Sequence, residues 1–187
     1  QSLRNFSRTD SADKKPVNVH EGIETTLMIL QHRLKANAER PTIEVVKKYD
    51  ELPLVKCYSG QLNQAFMNLL ANAIDALEES NEGKNYAEIE KNPNVITIRT
   101  SGDEDKVTIY IADNGPGMPE EVRSKLFNAF FTTKPEGKGT GLGLSISYQI
   151  VTETHGGNLY CLSSPGNGAE FVIELPLEDG EELGVRS

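Results

Sequence analysis

Between Gln64 and Leu77 the chain reads Q-A-F-M-N-L-L-A-N-A-I-D-A-L. Wound as an α-helix at about 100° per residue, it stacks Gln61, Gln64, Asn68, Asn72 and Asp75 into one narrow polar stripe. Ala65, Ala71 and Ala76 flank the stripe, and Phe66, Leu69, Leu70, Ile74 and Leu77 fill most of the rest; Asn63 is the one polar residue off it. A helix apolar nearly all round belongs inside a fold. Amides and a carboxylate buried there need partners, because an unpaired one costs on the order of 1–3 kcal/mol. Small alanines beside them leave room. The pattern fits the wall of a pocket for a polar ligand; taken alone, it also fits a solvated stripe on an ordinary amphipathic helix.

Elsewhere the apolar positions change period. From His20 to Arg40, Ile23, Leu27, Leu30 and Leu34 recur at helical spacing until Pro41 stops them. Thr42–Tyr49 and Leu54–Tyr58 read as a strand pair, after which Ser59 caps the polar-striped helix. Val95–Thr100 and Val107–Ala112 alternate on either side of Gly102–Asp105, a hairpin pattern, and Leu159–Leu162 and Phe171–Leu175 form a second across S-S-P-G-N-G. Between the hairpins lie a short helix at Pro119–Phe127, an aperiodic flexible loop at Asn128–Gly141, and a helix at Leu142–His155 closed by Gly156 and Gly157. Asn81–Asn92 is poor in apolar residues and reads as a mobile insertion. At the ends, Ser2–Arg8 looks like the tail of a helix, Asp10–Pro16 is a charged linker into extended Val17–Val19, and Asp179–Ser187 is a frayed acidic tail. Elements in this order predict an α+β fold, a two-layer sandwich of a mixed or antiparallel sheet with helices on one face.

A length of 187 residues makes this one domain, or one domain with an appendage, and a start at Gln1 suggests a piece of something longer. The net charge of -9 argues against holding a nucleic-acid backbone. No apolar run is long enough to span a bilayer and no signal-peptide pattern opens the chain, so a cytoplasmic fragment without membrane contact is expected. Cys57 and Cys161 sit in strand-like runs without metal-ligand spacing and read as buried, reduced thiols.

Val107, Ile109 and Ile111 share the inward face of their strand, and a period of two puts Asp113 on that face too. An ionised Asp only accepts hydrogen bonds. Ahead of the bare backbone of Asn114-Gly115-Pro116-Gly117, it is placed to accept from an exocyclic amine such as adenine's, or else it caps an ordinary strand-end turn. The second glycine cluster, G-K-G-T-G-L-G-L at Gly137–Leu144, opens a helix, where backbone N–H groups and the dipole suit phosphate. Thr140 adds a hydroxyl, and Lys134 and Lys138 add charge. The spacing fits neither a Walker A loop nor a dinucleotide fingerprint, whose last glycine is Leu144 here; such glycines also make a plain hinge.

Taken in order, the N-x-x-x-N helix, D-N-G-P-G-M, F-x-x-F-F-T-T-K and G-T-G-L-G-L resemble the ATP-binding catalytic domain of two-component sensor histidine kinases. That domain has the Bergerat fold and belongs to the superfamily that also holds DNA gyrase B, Hsp90 and MutL. The likeness runs from about Val17 to Pro176 and takes in His155-Gly156-Gly157. It implies residues 1–16 as the end of a dimerisation helix with its linker, 17–178 as the catalytic domain and 179–187 as a tail. It implies ATP and Mg²⁺ as cofactors. By the same resemblance Asp113 takes the adenine amine, with Gly115, Gly117 and Met118 around the base. Asn72, with Asn68, coordinates Mg²⁺, and Asp75 completes the stripe on the nucleotide side. Phe131, Thr132, Thr133 and Lys134 belong to the lid Asn128–Gly141, Lys134 with a catalytic phosphate contact. Gly139, Thr140, Gly141, Leu142, Gly143 and Leu144 form the second glycine box, on the phosphates. Two positions depart from the pattern: Ala169 stands where the family usually has Thr, and Asp75 where many of these kinases place a basic residue.

The hydrolase relatives place a Glu four residues before the metal-binding Asn as general base. Here that residue is Asn68, whose amide cannot take a proton at neutral pH, which favours a kinase over an ATPase. A serine-kinase anti-sigma factor would share the missing Glu but not the dimerisation-helix remnant, and a nucleotide-binding module without transferase activity is the remaining alternative. His20-Glu21 mimics a phosphoacceptor dipeptide, yet His20, His32 and His155 all read as structural, so the acceptor is expected on a separate dimerisation segment. The partners implied are that segment and a response regulator, within a homodimeric full-length protein.

Overall fold

The alternation of Val107, Ile109 and Ile111 puts β5 (Lys106–Asp113) in the middle of a five-stranded sheet. The computed structural model describes residues 13–129, 131 and 143–177. In the sheet, β5 is flanked by β4 (Val95–Gly102) and β7 (Ala169–Pro176), with β2 (Glu44–Lys48) and β6 (Asn158–Ser163) at the edges, in the order β2-β4-β5-β7-β6. Only β2 runs parallel to its neighbour; the other pairings are antiparallel, so the sheet is mixed. Both expected hairpins are present, each a little longer than its apolar core.

One face of the sheet is covered. Ile96, Ile98, Val107, Ile109, Ile111, Phe171 and Ile173 pack under α3 (Ser59–Ser80), whose Phe66, Leu69, Leu70, Ile74 and Leu77 are fully buried. Each such side chain contributes about 1.5–3 kcal/mol. α1 (Val19–Ile29) crosses α3 at Gly22, where a Cβ would stand 2.2 Å from Asn63 Oδ1, so the polar residue off the stripe sits at a helix crossing. The opposite face carries Arg99 stacked 3.6 Å over the Tyr110 ring, and the ion pairs Arg99–Glu170 and Lys106–Glu174. On that face Val172 lies in register between Tyr110 and Tyr160 and is buried by them. The expected one-sided sandwich is what forms. No helix among the described residues is long and apolar enough to cross a membrane. Cys57 and Cys161 are both buried, and burial pushes the Cys161 thiol up to about 12, as suits an inert side chain.

Several elements differ from the pattern-based expectation. β2 does not pair with β3 (Val55–Cys57); β3 forms a separate antiparallel ribbon with β1 (Lys15–Val17), while β2 joins the main sheet beside β4. Alternation identifies strands, but partners are set by tertiary packing. The helix expected to Arg40 ends earlier, at α2 (Gln31–Leu34), because the Asn37 side chain accepts from the N–H groups of Glu39 and Arg40 and turns the chain. Ser59 is the first residue of α3 rather than its cap; Tyr58 is the N-cap, and its N–H donates to His155 Nε2 at 3.0 Å. Asn81–Asn92 is not a structureless insertion. It holds α4 (Tyr86–Lys91), closed by a reciprocal capping box between Asn85 and Glu88 and anchored by buried Ile89. In Pro119–Phe127 only α5 (Glu120–Arg123) is α-helical, followed by tight i→i+3 turns. The helix expected from Leu142 is α6 (Gly143–Gln149) and a π-helical turn at Ile150–Thr154.

Candidate functional site

A cavity of about 790 Å³ lies between α3 and the end of β5. It divides the polar stripe. Asn68, Asn72 and Asp75 line this cavity with Ala71 and Ala76, whereas Gln61 and Gln64 border a separate groove of about 360 Å³ beside Gln149 and Glu153. The alanines leave the room expected of them, and Asn72 makes no hydrogen bond among the described residues, so its amide is uncommitted. Asn68 is committed. Its Nδ2 donates to the Gly143 carbonyl at 3.0 Å and to Ser147 Oγ at 3.2 Å, tying the start of α6 to α3.

Asp113 closes the opposite wall. The strand period turns it inward, in register with Ile96 and Ala169, and it is only 7% exposed. Its Oδ1 accepts from the Gly115 N–H at 2.8 Å, and the Ala169 N–H donates to the same carboxylate. Burial raises its pKa to about 6, against the downward pull of those two bonds. Gly117 packs the turn after β5 against the β6–β7 loop. Its φ is +70°, and a Cβ there would stand 2.1 Å from the Ser164 carbonyl oxygen. The Met118 N–H donates to Ser163 Oγ at 3.0 Å, which sets that residue against the cavity. Gly115, by contrast, is spent on its bond to Asp113. Ala169, where a threonine was expected, lines the cavity with a methyl group.

Phe131, Gly143 and Leu144 border the same cavity, so the described parts of the third and fourth motifs converge on the first two. Phe127 is core: it stacks on Tyr148 at 5.1 Å and meets Phe171 edge-on at 6.2 Å. Thr132, Thr133, Lys134, Gly139, Thr140, Gly141 and Leu142, with Phe130 and Lys138, lie outside the described residues.

The histidines hold structure. His155 is buried, with Nδ1 on the Ile150 carbonyl at 2.8 Å and Nε2 accepting from Tyr58, which fixes a neutral imidazole between the π turn and the start of α3. His20 stacks on Tyr49 at 4.2 Å and bonds Thr100 Oγ1 at 2.9 Å through Nε2; burial lowers its pKa. His32 is exposed on α2. Two site-side residues escaped the pattern. Arg33 donates to Asp75 Oδ1 at 2.9 Å and Glu78 Oε1 at 2.8 Å, and buried Arg40 reaches Glu78 Oε2 at 3.4 Å. Both sit far from α3 in sequence, where periodicity carries no pairing information.

Residues 58–179 match the family of histidine kinase-, DNA gyrase B-, and HSP90-like ATPases. The two-component sensor PprA of Pseudomonas aeruginosa is 35% identical over 184 residues, which covers 96% of this chain but 18% of that relative. The solved catalytic domain of the histidine kinase ThkA superposes with a TM-score of 0.69 at 29% identity, over 87% of this chain and 97% of that one. ThkA in complex with the response regulator protein TrrA matches with a TM-score of 0.67 at 25% identity, over 88% of this chain and 42% of that one. A matching family, a matching fold and a cavity built from its ordered motifs agree: the chain belongs to the histidine kinase-, DNA gyrase B- and HSP90-like ATPase family, in the form that serves as the catalytic domain of sensor histidine kinases.

Proposed function

We propose that the chain binds Mg-ATP in this cavity and donates the γ-phosphoryl group to a histidine on a separate dimerisation segment. The observation that supports this most is one cavity pairing a buried carboxylate acceptor, Asp113, with an α3 wall that carries two amides, Asn68 and Asn72, and no general base at Asn68. Asp113 accepts the adenine amine, with Met118, Leu126 and Ala169 as apolar surroundings for the base. The uncommitted Asn72 offers an amide oxygen, a hard donor that fits Mg²⁺ alongside phosphate oxygens. Bound there, the ion supplies charge neutralisation on the β- and γ-phosphates. Asn68 holds the second glycine box in place through Gly143, and Lys134 with Gly139–Leu144 completes the phosphate contacts. With no residue to deprotonate water at Asn68, the nucleophile is an imidazole. Its lone pair forms the P–N bond as the bond to the bridging oxygen of ADP breaks.

In the same proposal residues 1–16 end a dimerisation helix and linker, 17–178 are the catalytic domain and 179–187 a tail. The partners are the dimerisation segment of a homodimeric parent kinase and a cytoplasmic response regulator. The test incubates the chain with γ-labelled ATP, alone and with the dimerisation segment of its parent. Label on the segment, stable to alkali and lost in acid, is expected, with little hydrolysis by the chain alone. Strong label on His20 of the isolated chain, or rapid ADP release without the segment, would contradict it.

A further inference from the structure

Asp75 and Glu78 bring two carboxylates to the cavity that Asn72 lines. Beside a polyphosphate they are a liability, since like charges within one site repel. One guanidinium from another element meets both. Arg33 Nη2, from α2, donates to Asp75 Oδ1 at 2.9 Å and to Glu78 Oε1 at 2.8 Å. Its backbone is clamped in turn. Arg40 is buried, donates through Nη2 to the Arg33 carbonyl, and through Nη1 to the carbonyls of Lys35 and Pro41 at 3.1 Å each. Arg40 also reaches Glu78 Oε2 at 3.4 Å, so two carboxylates and two guanidiniums form one ion-pair cluster at the cavity wall.

We propose that Arg33 is a positioning residue for nucleotide binding: it offsets the charge of Asp75 and Glu78 and holds them in place, so that the α3 wall tolerates the charge of the phosphates. This role rests on Mg-ATP occupying the cavity. Without Arg33 the cluster loses one positive charge beside the ligand. Because Arg33, Asp75 and Glu78 keep part of their surface in water, screening limits the effect to roughly tenfold.

The test is a charge series. Dissociation constants for Mg-ATP, Mg-ADP and adenosine are measured by displacement of a fluorescent ATP analogue, on the parent chain, Arg33→Gln, and Arg33→Gln with Asp75→Asn. The expected result is an Arg33→Gln loss of about tenfold for Mg-ATP, less for Mg-ADP and under about twofold for adenosine, narrowing at high salt. The double variant should recover most of the Mg-ATP loss. An equal loss for all three ligands would mark a merely structural role, and an unchanged Mg-ATP affinity would remove any role; either overturns the proposal. Should Arg33→Gln not fold, Glu78→Gln, which removes a half-exposed carboxylate, is expected to bind Mg-ATP about twofold to threefold more tightly, and weaker binding overturns it. A parent chain that binds no Mg-ATP overturns the nucleotide assignment beneath it instead, which separates the two failures.

Discussion

In the proposed reading, Asp113 meets opposite demands from folding and from binding. Its carboxyl titrates at about 6 in the fold against an ordinary value of 3.8, because burial outweighs its two backbone bonds. The folded chain therefore binds that proton more tightly than the unfolded chain. The associated stability is fully present below about pH 3.8 and is lost as pH rises through about 6, at a cost of about 3 kcal/mol once ionised. An adenine amine needs the ionised acceptor. Between pH 7 and pH 5 Mg-ATP affinity should therefore fall several-fold more in the parent than in Asp113→Asn, while the parent gains stability relative to that variant in urea melts. The variant shares the titration of the nucleotide itself, so the difference belongs to the side chain. Parallel pH profiles for the two proteins would show that Asp113 does not read the base. Asp113 was legible in the sequence because its strand period is strict. Arg33 and Arg40 were not, since their carboxylate partners lie on α3, more than a helix away along the chain.

At the scale of elements, α3 and the two hairpins were readable because each owes its form to local periodicity. What escaped depends on partners remote in sequence or on short polar signals. The β1–β3 ribbon pairs β3, legible as a strand but not in its partner, with a three-residue β1 too brief to show alternation. α4 announces itself only by Asn85 and Glu88, a capping box without an apolar stripe behind it. The start of α3 shows how such distant parts are joined. Tyr58 N–H finds its acceptor on His155, whose other nitrogen holds the Ile150 carbonyl of the π turn, so one imidazole bridges the helix bearing Asn72 and the segment after α6. His155→Ala takes the acceptor from the half-buried Tyr58 N–H and one of two donors from the Ile150 carbonyl, and should lower stability by roughly 2 kcal/mol. Chemical denaturation at neutral pH measures it; a change below about 0.5 kcal/mol would mean that the bridge does not hold α3.

Across the whole molecule, a sheet covered on one face leaves its cavity at the border between layers. The β5 terminus, the α3 wall and the start of α6 meet there because the β2-β4-β5-β7-β6 order sets β5 under α3. Four motifs spread over the sequence from Asn68 to Leu144 thus share one cavity, as far as their described residues show. The chain spans less than a fifth of PprA; in the proposed reading the transfer step needs the separate dimerisation segment, whereas nucleotide binding needs this cavity alone. The most direct test is calorimetric titration of Mg-ATP into the parent, Asn72→Ala and Gln61→Ala. Asn72 lines the cavity and Gln61 borders the other groove, although both lie on the same helical stripe. The expected result is parent binding weakened tenfold or more by Asn72→Ala and changed less than about twofold by Gln61→Ala, a difference of at least about 1 kcal/mol. Equal effects at the two positions, or no binding by the parent, would contradict the assignment of this cavity to Mg-ATP.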